Sequence, residues 1–168
     1  PVFQYYWSAI DKLLNFLAKK VYNNDELIIA AHHRRNKFDL PSDNKFVFDQ
    51  THQLIKESKL VLGHNSTVLN HVVFLRKPII FINMHMFKKY EYGTFQLVNQ
   101  QAKALGVKTI YINKNFKFNK EIVKKIKTNK INEKKYKKFA EYYLGFPGLK
   151  SYGRWKTILR HLESTGFN

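Results

Sequence analysis

Lys59–Asn83, KLVLGHNSTVLNHVVFLRKPIIFIN, reads as strand, polar turn, helix, strand. Lys59–Gly63 is a short apolar run ending in glycine. His64-Asn65-Ser66-Thr67 is a compact polar turn with good capping residues, and Val68–Leu75 is apolar and helix-length. Lys77-Pro78 breaks the helix, and Ile79–Ile82 is a second buried strand. Two buried strands joined by a helix imply a parallel βαβ unit. The turn after the first strand then lies at the carboxyl edge of the sheet, where open α/β sheets bind ligands. A helix starting near Ser66 would turn its backbone N–H groups to that edge and favour an anion, most often a phosphate.

Working outward, apolar spacing predicts an amphipathic helix over Gln4–Lys20, through Tyr6, Ile10, Leu13, Leu14 and Leu17. A strand is expected at Glu26–Ala31, then a polar loop over His32–Asp43. A short strand follows at Phe46–Phe48 and a short helix at Thr51–Ser58. After the central unit, Met84–Gly93 reads as loop, Thr94–Leu105 as helix, Gly106 as its stop and Val107–Ile112 as strand. Asn119–Thr128 and Glu133–Tyr143 read as lysine-rich helices. Gly145–Gly148 is a break, and Ser151–Ser164 a last helix. Strands alternating with helices give an α/β class: a doubly wound, mostly parallel sheet of five strands. Leu60–Leu62 and Ile79–Phe81 lack polar alternation, so they are expected as central neighbours buried on both faces.

These residues resemble the donor-binding half of a GT-B glycosyltransferase of the bacterial surface-polysaccharide type. The match is carried by the Ser66-Thr67 pair opening a helix and by the Lys77-Pro78 step into the next strand. A second part of it is the strand Glu26–Ala31 followed by His32 and Arg34, where the family often has His-Pro-Arg. The resemblance covers roughly Glu26 to Asn113. Where the family carries an acidic residue that holds a ribose, this chain has His71.

The resemblance implies a Rossmann-like nucleotide-donor-binding domain over residues 1–150. A C-terminal helix at 151–168 would cross to an N-terminal half that this chain does not include. It also implies that a strand precedes Pro1, because such domains open on a strand. The implied activity is transfer from a nucleotide-activated sugar, for capsule or lipopolysaccharide, to a glycan or lipid-linked acceptor. The implied donor contacts are His32, Arg34, Arg35, Asn65, Ser66, Thr67 and His71, with His32 the one candidate for catalysis. Arg34, Arg35 or His32 would neutralise the departing diphosphate. The general base would come from the other half. No cofactor and no metal are implied, and no HExxH spacing or carboxylate cluster suggests one. Related activities stay open: a polyol-phosphate transferase, or a nucleotide-sugar 2-epimerase.

Composition bounds these readings. The chain has 168 residues, 44% hydrophobic and 15% aromatic, which suits one folded domain rather than a disordered segment. No apolar run reaches the roughly 18 residues of a membrane span. With no cysteine, disulfides and thiolate metal sites are excluded, and a reducing, cytoplasmic setting fits.

Thirty Lys and Arg against 12 Asp and Glu give +18. A basic module binding RNA or an acidic membrane is therefore the competing, non-enzymatic reading. Only five of the basic residues are arginines, and no RNP aromatic motif or GXXG loop is present. Asparagine is abundant too, as in proteins of AT-rich genomes. The expected membrane contact is weak and peripheral, at the inner face, through the lysines of Lys120–Lys138. Ile122, Ile126, Ile131, Tyr136 and Phe139 within that run are expected in the core.

Overall fold

The computed structural model describes residues 2–21, 27–31, 45–66, 68–113, 116 and 119–143. In chain order these hold α1 (Val2–Lys20), β1 (Ile28–Ala31), β2 (Lys45–Phe48), α2 (Thr51–Glu57), β3 (Val61–Gly63) and α3 (Leu69–Phe74). There follow β4 (Ile79–Met84), α4 (Phe87–Tyr90), α5 (Tyr92–Leu105), β5 (Thr109–Ile112), α6 (Lys120–Lys127) and α7 (Glu133–Tyr143). The segment Met84–Gly93, expected as loop, instead ends β4, contains α4 and starts α5. The helix expected over 151–168 lies outside the described residues.

The organising element is β4. All six of its residues, IIFINM, are buried. Side chains alternate across a strand, so its two faces build two cores. Ile80, Ile82 and Met84 join Ile110 and Ile112 of β5 under α1 and α6, which contribute Leu13, Leu17, Ile122 and Ile126. Ile79 and Phe81 face the other way, under α3, α5 and α7, against Val72, Val98, Leu105 and Phe139. The spacing of Ala9, Ile10, Leu13, Leu14 and Leu17 explains why α1 is a helix with one buried stripe. The result is a layer of parallel strands between two layers of helices.

The sheet departs from expectation. Every strand pair is parallel, but the strands form two sheets, β1-β2 and β3-β4-β5, not one of five. A cavity of ≈ 640 Å³ lies at the seam, with Ile28–Ala30 on one wall and Val61–Gly63 on the other. Leu14 and Leu17 of α1 and Ile55 of α2 line it as well. β3 has three residues and so offers a neighbour only one or two rungs, worth about 1 kcal/mol each. That gain competes with apolar side chains packed at the same edge. In consequence β3 is half-buried along its length rather than buried on both faces. Read across the seam, the order is 2-1 then 3-4-5. Leu62 and Ile80 are paired neighbours, as expected.

The lysine run is also divided. Ile122 and Ile126 of α6 belong to the core on the α1 side, whereas Tyr136 and Phe139 of α7 belong to the core on the opposite side. The lysines of Lys120–Lys138 therefore do not form one face. Both acidic residues within the run are paired, Glu121 with Lys125 and Glu133 with Arg76.

Three glycine-like positions fix local geometry. Gly106 ends α5 at φ 66, with the Val107 amide donating to the Ala102 carbonyl at 3.0 Å. The same motif ends α3, but there Arg76 occupies the left-handed position, at φ 50. Its Lys77 amide donates to the Val72 carbonyl at 2.9 Å. At Gly63 the constraint is space: a Cβ would stand 2.7 Å from Cδ1 of the buried Ile79. Gly63→Ala should cost about 1–3 kcal/mol in urea unfolding by overpacking β3 against β4; an unchanged midpoint would mean that Ile79 moves aside freely. Arg76→Gly should gain about 0.5–1 kcal/mol, because it removes backbone strain and loses only an exposed ion pair to Glu133. A net loss in the same assay would reverse that ranking.

Candidate functional site

The carboxyl edge of β3 is where chemistry-bearing residues gather. The register pairs Gly63 with Phe81, and β4 then runs three residues further, to Met84. The Phe81 amide donates to Lys108 at 3.1 Å, and Val61 donates to the Pro78 carbonyl at 2.9 Å. Even-numbered residues of β4 therefore turn their backbone groups toward β3. The Ile82 carbonyl is the next acceptor on that side, and β3 has already ended. The imidazole of His64 meets it, with Nδ1 2.9 Å from the Ile82 oxygen.

The His64 ring also packs at a tilt against two aromatic rings. Tyr6 of α1 lies at 5.3 Å and Phe87 of α4 at 5.2 Å, centroid to centroid. Burial pulls the imidazole below its ordinary value of 6.5, against a smaller upward pull from the Ile82 bond. Burial alone pushes the Tyr6 phenol up to about 12, so it stays neutral.

Asn65 and Ser66 follow, both exposed. The Ser66 hydroxyl accepts from the Val68 amide at 3.2 Å, a turn-capping role. The helix begins later than expected, at Leu69, and has six residues. At that length it spans about 9 Å and its dipole adds little attraction for an anion. What the turn offers an anion is its individual donors, among them the Ser66 hydroxyl hydrogen. His64 and Ser66 both line the seam cavity, so the polar turn is the rim of an otherwise mostly apolar space.

The other expected contacts are placed as follows. His32, Arg34, Arg35 and Thr67 lie outside the described residues. β1 ends at Ala31, one residue before His32, and Ile28–Ala30 line the same cavity as His64 and Ser66. His71 does not meet the rim turn. It stands exposed in the last turn of α3, with its ring edge-to-face on His52 of α2 at 5.2 Å. Among the described residues no three His, Asp or Glu side chains cluster as metal ligands would.

A second polar group at this edge escapes a reading of the sequence. Asn83 is fully buried and fully bonded, donating to the Phe95 carbonyl at 3.0 Å and to Asn99 at 3.1 Å, and accepting from the Met84 amide at 2.9 Å. Asn99 also accepts from the Tyr111 hydroxyl at 2.8 Å. Tyr111 in turn stacks on His85 at 5.0 Å. The chain Asn83–Asn99–Tyr111 ties β4 and β5 to α5. The only signal in the sequence is a polar residue closing an apolar run. For His64 the signal is a histidine directly after a strand-ending glycine, which by itself does not reveal an unpaired carbonyl eighteen residues away.

Compared with protein-family models, with curated proteins and with solved structures, the chain matches none.

The lowered His64 value has a consequence for stability. Below its ordinary value the unfolded chain takes up a proton that the folded ring resists. Stability present above 6.5 is therefore lost as pH falls toward the folded value. Urea unfolding at about pH 7.5 and about pH 5.5 should show a loss at the lower pH that His64→Asn removes. An identical pH dependence in the two proteins would place the titration elsewhere.

Proposed function

We propose that this chain is the nucleotide-donor-binding half of a glycosyltransferase acting in bacterial surface-polysaccharide synthesis. The observation that carries the reading is the seam cavity. It lies between the inner edges of β1 and β3, where the order 2-1 passes to 3-4-5, and it reaches the rim turn at His64 and Ser66. Such a crossing point, at the carboxyl ends of parallel strands, is where open α/β sheets take nucleotides. The resemblance of Ser66-Thr67, Lys77-Pro78, His32 and Arg34 to the GT-B donor half supports the same reading from the sequence.

In this reading the diphosphate of the donor rests on the rim turn, with Asn65, Ser66 and Thr67 as donors. Arg34 and Arg35 supply the countercharge by which a phosphate is held. The apolar walls of the seam exclude water from the bond that breaks. The acceptor is a glycan or lipid-linked sugar, and a second domain completes the cleft. His71 has no part in it, since it faces His52 on the flank of α3.

A basic module that lies flat on RNA or an anionic bilayer is less well supported. The lysines of α6 and α7 sit on opposite flanks of the sheet, and the aromatic residues among them, Tyr136 and Phe139, are buried and unavailable for stacking on bases. No described helix is long and apolar enough to cross a membrane.

Isothermal titration with UDP, GDP, CDP and ADP tests the proposal. One of them should bind, and Ser66→Ala combined with Thr67→Ala should weaken it about tenfold, the worth of one or two hydrogen bonds. A steeply salt-dependent affinity for an RNA homopolymer, with no preference for any nucleoside diphosphate, would sink the enzyme reading.

A further inference from the structure

His64 holds more than the end of a strand. A carbonyl oxygen only accepts, so the contact with Ile82 assigns the proton to Nδ1 and leaves Nε2 with a free lone pair. Among the described residues Nε2 has no hydrogen-bond partner. It is open to the cavity or to solvent. The ring packs at a tilt against Tyr6 from α1 and Phe87 from α4, which also pack on each other at 5.7 Å, and its Nδ1 is bonded to β4. Those neighbours bring no charge to it: Phe87 has none, the Ile82 group is a backbone carbonyl, and the phenol of Tyr6 is pushed up to about 12. No carboxylate of the described residues is bonded to the ring to hold a second proton on it. The geometry is that of a neutral base with one fixed tautomer, one fixed plane and one nitrogen to offer.

We propose that His64 is the proton acceptor of the site, its Nε2 taking the proton of the attacking hydroxyl group. This rests on the glycosyl-transfer reading above, and it gives the donor-binding half a base of its own. In the step, the acceptor oxygen forms a bond to the anomeric carbon of the donor sugar. The bond from that carbon to the phosphate oxygen breaks, and its electron pair leaves with the nucleotide. The hydroxyl proton passes to Nε2, and the resulting imidazolium returns it to water once the products have gone. The Nδ1–H bond to Ile82 keeps the ring in place throughout, as the orienting partner of a general base does. Water in place of the sugar hydroxyl gives the same balance and releases free sugar.

A purely structural histidine would make the same bond to Ile82 and the same ring contacts. The two roles separate in His64→Asn, which keeps an amide donor for the Ile82 carbonyl and removes the base. The assay is release of nucleotide from UDP-glucose, UDP-N-acetylglucosamine and GDP-mannose, with water as the acceptor that needs no second domain; a wild-type chain that binds nucleotide and releases none from these donors would overturn the proposal. Expected is an unchanged nucleotide affinity with turnover lower by about 100-fold or more, and loss of the limb on which wild-type activity falls at low pH. A second measurement needs no variant. Nitrogen-15 spectra of the wild-type imidazoles should show His64 as the Nδ1–H tautomer near neutral pH, titrating below 6.5.

An Nε2–H tautomer would overturn the proposal whatever the protein does. Equal turnover and equal pH profiles in His64→Asn would overturn it too, and would leave the donor-binding reading intact. If no nucleotide binds the wild-type chain, the transfer reading fails and this proposal fails with it.

Discussion

A strand with no residue in water needs partners on every side, and β4 sets those demands for this chain. Its six buried residues require helices above and below, which α1 and α6 supply on one face and α3, α5 and α7 on the other. Its backbone must also be paired to the last group. The neighbouring strands are too short to do this alone. β5 begins opposite Phe81, and β3 ends there. Side chains fill the remaining places. Asn129 donates to the Ile79 carbonyl at 3.0 Å at the amino end, and His64 reaches the Ile82 carbonyl at the other. Asn83 answers its own burial by bonding to α5.

The seam between the two sheets follows from the same shortage. Short edge strands gain little by pairing, so the apolar side chains of α1 and α2 line a cavity where a ladder would run. The cost is backbone left to find other partners. The gain is a space at the centre of the sheet, with its polar rim at the carboxyl edge. A fully zipped sheet would place the same rim residues over a closed floor. The depth of the site is thus a consequence of how few residues β3 has.

Much of this was legible in the chain. The apolar runs at Glu26–Ala31, Lys59–Gly63 and Ile79–Ile82, and the stops at Lys77-Pro78 and Gly106, are local signals, and local signals set element type. α4 was missed because four residues, FKKY, carry no period. The split sheet was missed because pairing between β1 and β3 depends on what else packs at their edges, which no run of residues records. That the lysine run divides between opposite flanks was not legible, because sequence proximity hides the crossing beneath the sheet at Asn129. Of the site, the rim turn was legible. The role of His64 was not, because it depends on the strand register that leaves the Ile82 carbonyl unmatched.

The crossing has a consequence for synthesis on the ribosome. The carbonyls of Lys77 and Ile79 are bonded by Tyr136 and Asn129, residues 59 and 50 positions later in the chain. At ordinary elongation rates those partners emerge roughly 3–12 s after the groups they serve. For that interval the amino edge of the central strands is an unfinished template, able to pair with any extended segment nearby. Lys127, two residues before Asn129, reaches that edge together with it. The latch that completes the sheet thus also brings the charge that repels a second copy of the same nascent chain.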